Sequence, residues 1–154
     1  MDETASNAYS HVAALIARAT LGLYFVAAGV AKVEGELSNK IGHFYESSFS
    51  ALQPAWLPEI VAAPYGYALP WVEVVVGAML TLGLATRLSA ILIALMLASF
   101  TVALVLAKGP SGGGPVAFHS NVVLIGLALL LISVGGGGIS IDALFRGKKA
   151  KVEA

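Results

Sequence analysis

From Leu88 to Ala107 the chain runs for twenty residues without one ionisable side chain. A helix needs about 20 mostly apolar residues to cross a hydrocarbon core of about 30 Å. In lipid every backbone N–H and C=O must be paired within the protein, and only helices and closed barrels achieve that. Three further apolar stretches accompany this one, at about 11–33, 65–84 and 116–134. Short connections between consecutive spans make neighbours antiparallel. The expected fold is therefore an all-α membrane protein, an antiparallel four-transmembrane-helix bundle forming one domain over 1–154. Loop 34–64 separates the first two spans, and a basic tail covers 139–154.

Composition agrees. The chain is 58% hydrophobic and 12% charged, against about 45–50% and about 25% for soluble domains. A formal net charge of zero offers nucleic acid no footprint. There is no cysteine, so disulfides, thiolate redox chemistry and iron–sulfur clusters are excluded. A redox role would need a bound cofactor or a partner. The first apolar run follows Asp2 and Glu3 rather than a basic segment. It is longer than a signal-peptide core of about 7–15 residues, and is expected to stay as a span.

The long loop has its own pattern. Ile41, Phe44, Tyr45, Phe49 and Leu52 recur at helical spacing among Glu46, Ser47, Ser48 and Ser50. That predicts a short amphipathic helix at the interface, ended by Pro54 and Pro58 and anchored by Trp56. It serves either as a strap on the bundle or as the rim of a ligand entrance. Arg87, Arg146, Lys148, Lys149 and Lys151 fall on one side of the spans, and Lys32, Lys40 and Lys108 on the other. The bias favours both termini in the cytoplasm and the loop outside, in a protein expected in the cytoplasmic (inner) membrane.

Three motifs point to a family. Arg18-x3-Gly22-x2-Phe25-x3-Gly29-x2-Lys32 in the first span resembles the DoxX signature, as does Glu73-x3-Gly77-x2-Leu80-x2-Gly83-x3-Arg87 in the second. GGGGISIDAL, residues 135–144, resembles the closing G-x-G-x-x-S-x-D motif of that family. The loop at 34–65 departs from the pattern. The resemblance implies a four-helix integral membrane protein. A related branch, DoxD, is a small subunit of a thiosulfate:quinone oxidoreductase, and other members are tied to membrane redox complexes. It therefore implies a subunit or accessory of a quinone-linked membrane redox system, with quinone as the cofactor.

Glu73 is the residue that most needs a task, because a carboxylate deep in a span costs about 2.5–3.5 kcal/mol or more. Arg18 on the preceding span is its expected partner, at a depth differing by roughly 5–10 Å, which a snorkelling arginine largely spans. The pair is either an internal strut or a polar ligand site with Glu73 accepting a proton beside a quinone headgroup. His119, at the start of the fourth span, either exchanges protons with the ligand or faces headgroups. The candidate catalytic set is Glu73, Arg18 and His119. The candidate cofactor-binding set is Lys32, Asn121, Trp71 and Tyr24. Lys32 could steady a quinol anion or merely snorkel; Trp71 and Tyr24 could stack on a ring or merely sit in the aromatic belt. No metal is expected, since His43, His119 and Glu73 lack ligand spacing. Lipids and a partner subunit or a second copy are the expected partners. The rival readings are a non-catalytic structural or interaction subunit and a small-solute transporter, the latter disfavoured by the lack of an inverted repeat.

Overall fold

The computed structural model describes residues 3–108 and 120–145. The described residues form four α-helices: α1 Glu3–Ser38, α2 Glu59–Leu82, α3 Thr86–Lys108 and α4 Ser120–Val134. By length and composition Tyr9–Ser38, Glu59–Leu82 and Thr86–Ala107 are each able to cross a membrane, and Ser120–Val134 is a shorter apolar helix. This is an all-α membrane bundle. Residues 109–119, which include His119 and most of the Gly/Pro loop, lie outside the described residues, as does the tail from 146.

α1 and α2 extend beyond their apolar stretches. α1 has 36 residues, about 54 Å of helix, so its ends project past the hydrocarbon. Nothing in Glu3–Ser10 breaks a helix. At its far end Asn39 closes the last turn, its backbone and side-chain amides both donating to the Gly35 carbonyl. α2 begins directly after Pro58. It holds Pro64 and Pro70 within it, and Gly66 leaves the space that the Tyr45 and Phe49 rings occupy.

α2 ends at Gly83, whose φ of 72° needs no Cβ. The Gly83 N–H donates to Leu80 O and the Leu84 N–H to Met79 O, the paired bonds of a Schellman stop. α3 starts after a three-residue turn, Gly83 to Ala85, and borrows its cap from far away. Asp142 accepts from the Ala85 and Thr86 N–H groups at 2.7 and 2.8 Å and from the Thr86 hydroxyl at 2.8 Å. Orphan donors at a helix start need an acceptor, and here it comes from the segment after α4.

α1 packs most closely on α2, and α3 on α4. The core between the two pairs includes Leu21, Phe25, Leu69, Leu80, Leu97 and Leu131. The amphipathic segment expected in the first loop is helical but irregular: a π-helical turn Tyr45–Phe49 followed by a 3-10 turn Ser50–Leu52. It lies across one end of the bundle as a strap. The segments at 3–10 and 135–145 lie at the other end.

Candidate functional site

Where α1 crosses α2 the backbones touch. A Cβ on Gly77 would sit 2.8 Å from Gly22 O, and one on Gly22 would sit 2.7 Å from Gly77 O. Small residues permit this approach, which is how helices associate in lipid. The contact also sets the register. The helices are antiparallel, so moving towards the C-terminus of α1 means moving towards the N-terminus of α2. Gly29 therefore meets Val74 and Glu73, and Lys32 reaches Glu73. Arg18, on the opposite side of Gly22, falls beside Thr81.

The Arg18–Glu73 pair is thus not formed. Eight residues separate Thr81 from Glu73 on α2, about 12 Å of rise. Lys32 is nearer and takes the carboxylate, as an ion pair and hydrogen bond. The Arg18 guanidinium turns to the chain reversals instead. It donates to Thr81 O at 3.3 Å and to Ile139 O, 121 residues further along. Gly83 packs against it and against Ser140. Next to it, the Gly138 N–H donates to His11 Nδ1 at 3.0 Å. Arg18 is a clasp at the end away from the strap.

Beside Lys32 and Glu73 lies a cavity of about 500 Å³, within the range of about 300–1,000 Å³ of small-molecule sites. The strap, α2, α3 and the start of α4 wall it. Phe44, Phe49, Trp56, Tyr65 and Phe100 give it aromatic surfaces, and Leu69, Val102 and Leu104 aliphatic ones. Polar groups are few. Lys32 lines it, with its ammonium 5.3 Å from the Phe44 ring centre and 5.8 Å from that of Phe100, favourable cation–π distances. The Tyr65 hydroxyl bonds Ser99 Oγ at 2.8 Å, and Ser99 donates onward to Met96 O at 2.8 Å. Asn121 lines the cavity too. Glu73 does not: its side chain is 1% exposed against 24% for Lys32.

The strap is held by Glu36. Its buried carboxylate accepts the Phe44 N–H at 2.8 Å and also the Gly42 N–H. Those are orphan donors at the start of a helical segment, and an anion there is doubly favoured. Tyr45 then stacks on Tyr67 with centroids 5.1 Å apart, and Phe49 meets Tyr65 edge-on at 5.7 Å. On the exposed rim Lys40 pairs with Glu46 at 2.7 Å. The hydrogen bond to Glu46 holds the Lys40 ammonium above its ordinary range.

Of the residues expected to form the site, Lys32 and Asn121 line the cavity and Glu73 stands behind Lys32. Arg18 belongs to the other end. Tyr24 and Trp71, 47% and 43% exposed, face outward from the bundle and touch no part of the cavity. His119 lies outside the described residues. Among the described residues, no group of three His, Asp or Glu side chains gathers where a metal could sit. Among the residues not singled out for the site were Ser99, Phe100 and Glu36. Ser99 offered a signal, as one of the few hydroxyls in the uncharged run Leu88–Ala107.

Two family models match this chain. One, described as DoxX, covers residues 13–107. The chain belongs to the DoxX family. The other, described as TQO small subunit DoxD, covers residues 67–154, so this DoxX protein is related to thiosulfate:quinol oxidoreductase subunits. Comparison with curated proteins and with solved structures finds no match. The DoxX match contains the α1–α2 crossing, the strap and the cavity-lining part of α3. The DoxD match carries α2 onward to the Asp142 clasp. The signature residues of this DoxX chain divide by task. Gly22, Gly29 and Gly77 set the crossing, Arg18, Gly83 and Asp142 tie the far end, and Lys32 lines the cavity with Glu73 behind it.

Proposed function

We propose that the chain is a small quinone-binding subunit of a redox complex in the cytoplasmic membrane, with its site in the cavity under the strap. One observation carries this reading: an apolar, aromatic-walled cavity with a single formally charged lining side chain among the described residues, Lys32, at its polar end. A quinone headgroup is a flat ring with two acceptor oxygens. The rings of Phe44, Phe49 and Phe100 suit its faces, and an ammonium suits an oxygen. The apolar stretch of α3 suits an isoprenoid tail. The likeness to the TQO small subunit supports a redox partner, to which this chain would bring the quinone site and the partner the electron donor. With both termini cytoplasmic, the strap and the cavity mouth face outward. Arg18 then has a structural task, and Tyr24 and Trp71 are lipid contacts.

A photoreactive quinone, cross-linked to the purified protein and mapped by peptide mass spectrometry, tests the placement. Labels on residues 44–57 and 98–104 are expected. Labels confined to the outward face carrying Tyr24 and Trp71 would refute it.

A structural reading has its own support in the clasp, since Arg18 and Asp142 spend their charges on backbone groups of other elements. That reading accounts for the far end and leaves the cavity without a purpose.

A further inference from the structure

We infer that Lys32 is the side chain that touches the ligand, that it selects a planar ring bearing an ionised oxygen, and that Glu73 stands behind it as a counter-ion that does not touch the ligand. The inference rests on the reading of the cavity as a quinone site and gives that site its preference.

The ion pair is asymmetric. Lys32 lines the cavity and Glu73 does not. The Glu73 side chain is sealed, whereas that of Lys32 keeps a quarter of its surface. The cavity therefore meets the positive end of a fixed dipole. An ammonium has three N–H donors; Glu73 accepts one, and the Phe44 and Phe100 rings offer only their faces. Donor capacity is left for an oxygen in the cavity. The neighbouring hydroxyls are committed, Tyr65 to Ser99 and Ser99 to Met96 O. In an apolar enclosure a charge-assisted bond is stronger than in water. The same placement steadies the negative charge that gathers on a quinone oxygen when the ring is reduced. An alkyl carboxylate would also suit the ammonium, but it would leave the aromatic walls unused.

The test uses three forms of the full chain in detergent: wild type, E73Q, and the charge-neutral double variant K32M/E73Q. The probes are 2-hydroxy-3-alkyl-1,4-naphthoquinone, ionised at neutral pH, and its 2-methyl counterpart with the same chain. Wild type is expected to favour the hydroxyquinone by about tenfold or more, the worth of a hydrogen bond to a charged group. E73Q, which keeps the cation, should keep or raise that preference. The double variant should still bind the methylquinone and bring the ratio within about threefold of unity. Loss of the preference in E73Q, which keeps the cation, would mean that the Lys32 ammonium does not set the selection and would overturn the inference, as would survival of the preference in the double variant. Equal binding of both probes by wild type would overturn it while leaving the quinone reading intact. Binding of neither would overturn the quinone reading itself. Dodecanoate displacing the hydroxyquinone as well as the hydroxyquinone displaces itself would overturn the choice of a ring.

Discussion

Removing either half of the Lys32–Glu73 pair should destabilise the protein, but by unequal amounts. Breaking a buried pair costs about 3–5 kcal/mol, because a lone charge is left without water or partner. Lys32→Met does this to Glu73, whose side chain is almost completely enclosed. Glu73→Gln leaves the ammonium, which borders the cavity and can extend into it along its flexible stem. The glutamine carbonyl can still accept its hydrogen bond, so the loss should be nearer about 1–2 kcal/mol. The double variant K32M/E73Q removes both charges and places a thioether beside Phe44 and Phe100, a favourable contact. It should lie within about 1 kcal/mol of wild type, since neutral replacement of a buried pair is often tolerated. Denaturant titration of the purified proteins in one detergent gives all four stabilities and the coupling between the sites. Additive costs, or Glu73→Gln costing as much as Lys32→Met, would refute this account of the pair.

Three further outcomes follow from the same contacts. Glu36→Ala should free the strap, since two backbone donors lose their acceptor at a cost of about 1–2 kcal/mol; limited proteolysis should then cut within 40–58, with α1–α4 intact. Gly77→Ala should lower the folded yield sharply, because the new methyl meets Gly22 O at 2.8 Å, whereas Gly126→Ala, with nothing within 4 Å, should fold normally. Asp142→Ala should uncap α3 and lower stability by about 1–2 kcal/mol, read as a lower unfolding midpoint with quinone binding retained in the surviving folded protein.

The bundle was legible because lipid leaves the backbone few solutions. An uncharged run such as Leu88–Ala107 admits a buried helix and little else. Gly83 and Gly135–Gly138 mark helix ends by the conformation they permit. Glu73 was legible as an outlier in an apolar span. Its partner was not, because hydropathy carries no register between two helices. The register comes from the Gly22–Gly77 backbone contact, and a shift of two turns would have exchanged Lys32 for Arg18. The partner of Arg18 was hidden for another reason: it is the carbonyl of Ile139, which any residue supplies. Tyr24 and Trp71 look like ring-stacking residues in a linear sequence, but a helix apolar on all sides does not declare which face meets the bundle. The task of Glu36 was hidden because capping the strap involves only backbone donors, which every residue but proline supplies.

The central claim is that the cavity beneath the strap holds quinone. The most direct test is the quinone extracted from purified wild type and from Ala103→Trp, weighed by mass spectrometry against protein. Ala103 lines the cavity, and an indole there fills the empty space without disturbing the α1–α2 crossing. The account predicts stoichiometric quinone in wild type and its loss in a variant that remains folded. Equal traces in both would mean carry-over with the lipid, and would contradict it.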